Sequence, residues 1–137
     1  MIEPPTKSRS FNMRQVRSKH TKPELLVRRM LFERGFRFRL HDRRLPGNPD
    51  IVLPKYRAVI LVNGCFWHQH PGCKRATMPV RNADFWEEKL AANTARDSAT
   101  RRRLHELNWN VLVVWECEAY GDPEGVLIRL IREITMD

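Results

Sequence analysis

Asp50-Ile51-Val52-Leu53-Pro54-Lys55-Tyr56-Arg57-Ala58-Val59-Ile60-Leu61-Val62 is the stretch on which the fold turns. Ala58–Val62 is apolar at every position, as a strand covered on both faces would be. A second strand starts at Asp50-Ile51-Val52-Leu53, after the turn cluster Leu45-Pro46-Gly47-Asn48-Pro49. Pro54-Lys55-Tyr56-Arg57 makes a short connection between the two. Upstream, Phe36-Arg37-Phe38-Arg39-Leu40 alternates strictly and predicts a strand with one wet face. Before it, Thr21-Lys22-Pro23-Glu24 is a capping box, opening a helix over 22–34. Leu26, Val27, Met30 and Leu31 supply that helix's buried stripe, and Gly35 can take a left-handed C-cap.

Downstream, a loop runs from Gly64 to about Arg81, followed by a long helix from near Asn82, a candidate N-cap, to Leu107. Val111-Leu112-Val113-Val114-Trp115 reads as another buried strand. Asp122-Pro123-Glu124 opens a last helix carrying Val126, Leu127, Leu130, Ile131 and Ile134. The order helix, three strands, helix, strand, helix predicts an α/β protein with one mixed sheet flanked by helices, the chain crossing over through the long helix. Residues 1–20 are polar, basic and without apolar periodicity, and are expected to form a flexible arm. Residues 21–137 are expected to form a single domain.

Composition narrows the function. The 137 residues are 42% hydrophobic, enough to bury a core. No run approaches about 18 apolar residues, which excludes a membrane-spanning helix, and no apolar secretory stretch follows Met1. A cytoplasmic protein is therefore expected. The net charge is +9, distributed unevenly. Residues 1–50 hold 13 basic and 5 acidic side chains, whereas residues 101–137 hold 5 and 7. Such a basic first half attracts polyanions, nucleic acid first. Three cysteines in a cytosolic chain argue against a disulfide framework and leave metal ligation or buried thiols.

Three groups of residues could carry chemistry. Asp50 stands at the mouth of a strand, where a carboxylate can hold a hard cation such as Mg²⁺; a turn-capping Asp is the plain alternative. Cys65-Phe66-Trp67-His68-Gln69-His70-Pro71-Gly72-Cys73 combines thiols and imidazoles within nine residues. Cys117, 44 residues beyond Cys73 and just past a strand, could reach the same point. Four such ligands fit a closed structural Zn²⁺ site. Either His68 or His70 could supply the nitrogen; His70 follows the spacing C-x4-H-x2-C and would leave His68 free. The third group is aromatic. Trp109, Trp115, Phe36 and Phe38 read as core, whereas Phe66 and Trp67, adjacent in a polar loop, suit a wedge between stacked bases.

Asn12-Met13-Arg14, Thr21-Lys22-Pro23-Glu24, Leu45-Pro46-Gly47-Asn48-Pro49-Asp50, Gly64-Cys65-Phe66-Trp67-His68, Asp84-Phe85-Trp86 and Trp115-Glu116-Cys117 follow one another in this order. Together they resemble the very-short-patch-repair (Vsr) mismatch endonucleases over roughly residues 8–120. The resemblance implies a type II restriction-endonuclease-like core with a structural zinc site. It implies Mg²⁺-dependent nicking of one strand of double-stranded DNA beside a T:G mismatch left by deamination of 5-methylcytosine. It further implies a monomer in the bacterial cytoplasm, on the nucleoid when bound to DNA, alongside other repair-pathway proteins.

By position, the resemblance makes Asp50 the Mg²⁺-binding carboxylate, helped by the main-chain carbonyl of Val62. His68 becomes the base or proton shuttle, and Glu24 an acidic group bordering the site. Cys65, His70, Cys73 and Cys117 would hold the zinc. Phe66, Trp67 and Trp86 would form the intercalating wedge, Lys89 and Asn93 would face the mismatch, and the arm with Met13 would close from the other groove. Val62-Asn63 stands where the family pattern has Thr-His, so a titratable group is missing at Asn63. Pro71-Gly72 lengthens the cysteine loop by one residue. Three rival functions remain: a nuclease of the same fold with another DNA target, a zinc-stabilised DNA-binding module without catalysis, and a zinc-pinned protein-interaction domain.

Overall fold

A computed structural model describes residues 19–136. The expected arm, as far as residue 18 and including Met13, lies outside them. In chain order the described residues form α1 (Lys22–Glu33), β1 (Arg39–Leu40), β2 (Ile51–Leu53), a 3-10 turn (Pro54–Tyr56), β3 (Ala58–Asn63), α2 (Ala83–Glu106), β4 (Asn110–Trp115), α3 (Glu116–Gly121) and α4 (Pro123–Thr135). The sheet order is β1-β2-β3-β4. Its first two pairings are antiparallel and the third is parallel. A parallel neighbour cannot be reached by a tight turn, and α2 supplies the crossover. The expected mixed sheet flanked by helices is what forms.

Side chains alternate across the sheet and divide the core in two. Ile51, Leu53, Ala58, Ile60, Leu112 and Val114 pack on one face against Val27 and Leu31 of α1 and Val126, Leu127, Leu130 and Ile134 of α4. Val52 and Val59 point the other way, onto Leu104 of α2 and Trp109. β3 is thus covered on both faces, as its unbroken apolar run predicts. Truncating a fully buried leucine such as Leu31 or Leu130 to Ala would cost about 2–5 kcal/mol.

Four sequence expectations need correction. The strand expected over 36–40 shrinks to Arg39–Leu40. Gly35, at φ +89°, donates its N–H to Phe32 O, and the N–H of Phe36 reaches Leu31 O. This left-handed exit from α1 drives Phe36 into the core and uses up the residues that alternate in sequence. Among the described residues β4 is an edge strand, and its outward-facing Val111, Val113 and Trp115 are only half buried. A short helix, α3, follows it directly, held by Glu118 Oε1 accepting from the Trp115 N–H at 3.0 Å. Finally, Asn82 sits at φ +59° and its side chain does not cap α2.

Two features place the site. The pairing Ile51↔Ile60 ends the β2–β3 ladder, leaving Asp50 and Val62 just beyond it. The turn before Asp50 presses on α2: Gly47 has φ +74°, and a Cβ there would collide with the Thr100 side chain. The loop that presents Asp50 is therefore seated on the helix behind it. No helix among the described residues is long and apolar enough to cross a membrane.

Candidate active site and metal centre

Asp50 meets β3 through its side chain. Its Oδ2 accepts the Val62 N–H at 2.7 Å, so a carboxylate completes the ladder where main-chain pairing stops. Burial pushes the Asp50 carboxyl up to about 6, against the pull of that hydrogen bond. The charge of Glu24 pushes the same way, while His41 and His68 oppose it. Asp50 thus lies within electrostatic reach of both Glu24 and His68.

Glu24 lies on the inner face of α1 with 1% of its side chain exposed. The capping box forms in part: Thr21 Oγ1 accepts the Glu24 N–H at 3.4 Å, while Glu24 Oε1 accepts the His20 N–H rather than that of Thr21. Arg28 Nη1 donates to Glu24 Oε2 at 3.1 Å. His41 Nε2 stands 2.9 Å from the same oxygen and 3.9 Å from Asp50 Oδ1. Buried charge is tolerable only when compensated, and these two partners compensate Glu24.

His68 lies in the loop that begins at Gly64. Its Nδ1 is 2.5 Å from Asp97 Oδ2 on α2. One turn earlier, Asn93 Nδ2 donates to Trp67 O at 3.1 Å. Helix α2 therefore grips Trp67 and His68 from one face. A carboxylate on Nδ1 holds the proton there and leaves Nε2 as an acceptor.

Cys65, His70, Cys73 and Cys117 bring one donor atom each within 4.8 Å of one another. Nδ1 is the converging nitrogen of His70, at 3.7 Å from Cys65 Sγ and 3.4 Å from Cys117 Sγ. Tetrahedral Zn–S and Zn–N bonds place such atoms roughly 3.5 Å apart, so the donor set fits a soft four-coordinate cation such as Zn²⁺. Burial pushes the Cys65 thiol up to about 12, whereas main-chain N–H groups, that of Arg75 first, hold Cys73 below its usual range. A buried thiolate at Cys65 therefore calls for a cation beside it. The His70 ring stacks on Trp115 at 4.1 Å, and Glu116 Oε1 accepts the Cys65 N–H. Gly72, at φ +72°, turns the loop back as Pro71-Gly72 predicts.

Phe66, Trp67 and Trp86 form one aromatic cluster, with ring centroids 5.1 to 5.9 Å apart. Phe66 and Trp67 are half buried; Trp86, at 5% exposed, lies beneath them.

Residues 4–75 match the family model described as DNA mismatch endonuclease Vsr. The chain is 43% identical over 114 residues to DNA mismatch endonuclease Vsr of Escherichia coli K12, covering 83% of this chain and 72% of that protein. The chain belongs to the Vsr family of DNA mismatch endonucleases. It is also 47% identical over 131 residues to the type II nicking enzyme V.NmeAIP of Neisseria meningitidis, covering 94% of this chain and 93% of that enzyme. To V.XorIIP of Xanthomonas oryzae it is 50% identical over 126 residues, covering 92% and 90%.

Among the residues that the Vsr resemblance singles out, Asp50 is hydrogen-bonded to Val62 and lies within electrostatic reach of Glu24 and His68, and the four Cys and His donors converge on another point. Trp86 backs the other two aromatic rings instead of standing out with them. Asn93 is engaged with the Trp67 carbonyl, and Lys89 is exposed one turn before it. Asn63 is buried at the end of β3. Sequence reasoning missed His41 and Asp97. Asp97 follows Asn93 by four residues, a spacing that puts both on one helix face and could have revealed it. Nothing local marks His41, which reaches the site through the pairing of β1 with β2.

Proposed function

We propose that this Vsr-family chain hydrolyses one phosphodiester bond of duplex DNA beside a T:G mismatch, with Mg²⁺ held by Asp50 and the main-chain oxygen of Val62. The observation that carries this reading is the placement of Asp50, fixed by the Val62 N–H, within reach of a His68 that is itself oriented by Asp97. The names of the Escherichia coli and Neisseria relatives, a mismatch endonuclease and a nicking enzyme, support it. A mixed sheet carrying its acid at the head of an inner strand accords with a restriction-endonuclease-like core.

When bound, Mg²⁺ supplies Lewis acidity and lowers the pKa of an attacking water. Asp50 presents a carboxylate anchored at one oxygen, Oδ2, by the Val62 N–H. In a strand, the N–H and C=O of one residue face the same neighbour, so Val62 O lies on the edge that Asp50 lines. The Asp97 contact orients the His68 ring with its proton on Nδ1, so Nε2 is the atom that accepts the water proton. Cys65, His70, Cys73 and Cys117 would hold a structural Zn²⁺, pinning the loop that carries His68 and Trp67. Phe66 and Trp67, backed by Trp86, wedge into the stack; a mismatched step is easier to open than a paired one.

Incubating the protein with Mg²⁺ and labelled T:G, T:A and branched duplexes tests the whole reading. A break in one strand of the T:G duplex alone is expected. Equal cutting of T:A or branched DNA would replace the mismatch by another target. Salt-sensitive binding without any break would reduce the chain to a binding module.

A further inference from the structure

His41 is a buried imidazole to which the hydrolytic scheme assigns no task. Its side chain is 9% exposed and lies between two carboxylates. Nε2 is 2.9 and 3.1 Å from the two oxygens of Glu24 and 3.9 Å from Asp50 Oδ1. Its own N–H donates to the Asp50 carbonyl at 3.2 Å, so backbone and ring both engage the segment that presents the acid. The backbone at His41 is left-handed, φ +47°, a conformation that a side-chain-bearing residue keeps only where its surroundings impose it.

The neighbours limit what this group can be. His20, Glu24 and His41 bring donor atoms within 4.8 Å, as a second cation site would. Yet the Arg28 guanidinium already bonds both Glu24 Oε2 and His20 Nδ1, and the His20 ring closes edge-on over His41 at 4.8 Å. The place of a cation is filled by arginine. What remains open is the direction from His41 Nε2 towards Asp50. Asp50 Oδ2 is tied to Val62, so Oδ1 is the oxygen not held by the main chain, and the His41 ring faces it at 3.9 Å, beyond hydrogen-bond distance.

We infer that His41 is a positioning residue: anchored through Nε2 on the Glu24 carboxylate, its ring faces Asp50 Oδ1 at 3.9 Å and holds Asp50 in the orientation that receives the divalent cation. This rests on the reading of Asp50 as the cation ligand. Outer partners of metal ligands set cation affinity without touching substrate, and losing one lowers that affinity about 10- to 100-fold.

The experiment compares His41→Leu, His41→Asn and His41→Gln with wild type, using Mg²⁺ itself and a labelled T:G duplex. Three quantities are measured: half-saturating Mg²⁺ for nicking, duplex affinity without Mg²⁺, and thermal midpoint. Leu cannot donate, and Asn is too short to reach Glu24; both should raise half-saturating Mg²⁺ about tenfold at unchanged duplex affinity. Gln donates through Nε2 and should stay within about threefold of wild type. If Leu fails to fold, the Asn and Gln pair carries the comparison. Wild-type Mg²⁺ dependence in the Leu or Asn variant, or equal impairment of Gln and Asn, would overturn the inference. Failure of the underlying reading looks different: the wild-type protein would then show no Mg²⁺-dependent nicking.

Discussion

Asp50 carries a carboxyl raised to about 6 from 3.8, chiefly by burial. One pKa unit corresponds to about 1.4 kcal/mol, so ionising Asp50 in the folded protein opposes folding by about 3 kcal/mol. The sign follows from the direction. An acid raised in the folded state gives no penalty below its unfolded value; the penalty grows as pH rises towards 6 and is constant above it. Asp50→Asn removes the charge and keeps an oxygen for the Val62 N–H. The variant should therefore exceed wild type in stability by about 1 kcal/mol near pH 4.5 and about 3 kcal/mol from about pH 6.5 upward, while losing cleavage. Urea unfolding of zinc-loaded, Mg²⁺-free protein across that range measures the difference. Adding Mg²⁺ at about pH 7.5 should narrow the gap by stabilising wild type alone. A gap independent of pH, or a wild type more stable than the variant at about pH 7.5, would refute the claim that the site holds its acid under strain for a cation.

Asp97→Asn lets an amide N–H face His68 Nδ1 and invert the tautomer, so nicking should fall about 10²- to 10⁴-fold at unchanged duplex affinity; a wild-type rate would remove His68 from proton transfer. Cys117→Ser should abolish tight zinc binding and lower the thermal midpoint by about 10 °C, read by metal analysis and calorimetry. Unchanged metal content would disqualify Cys117 as a ligand. Trp67→Ala should reduce the preference for T:G over T:A DNA about tenfold while weakening overall affinity less. Equal losses on both duplexes would contradict the wedge.

What was legible in the sequence is what adjacent residues decide. Ala58–Val62, apolar at every position, reads as an inner strand, and Pro49-Asp50 at the mouth of Ile51–Leu53 puts a carboxylate at a strand end. The spacing of Cys65, His70 and Cys73 announced a metal loop, and Thr21-Pro23-Glu24 a helix start. The limits appear where distant segments choose the outcome. Phe36 and Phe38 alternate like a strand, yet the Gly35 exit from α1 commits Phe36 to the core. Val111–Trp115 is as apolar as β3, and composition alone does not say that it takes an edge of the described sheet. Glu116–Gly121 is too short to show periodicity. His41 and Asp97 gain their roles only when β1 pairs with β2 and α2 folds back over the Gly64 loop.

The most direct test of the hydrolytic centre is single-nucleotide mapping of breaks in a T:G duplex with wild-type protein and with Asp50→Ala, paired with duplex affinity for each. Wild type should give one break in one strand and the variant none, with the same affinity for both. Cleavage by Asp50→Ala at the wild-type position and rate would contradict it.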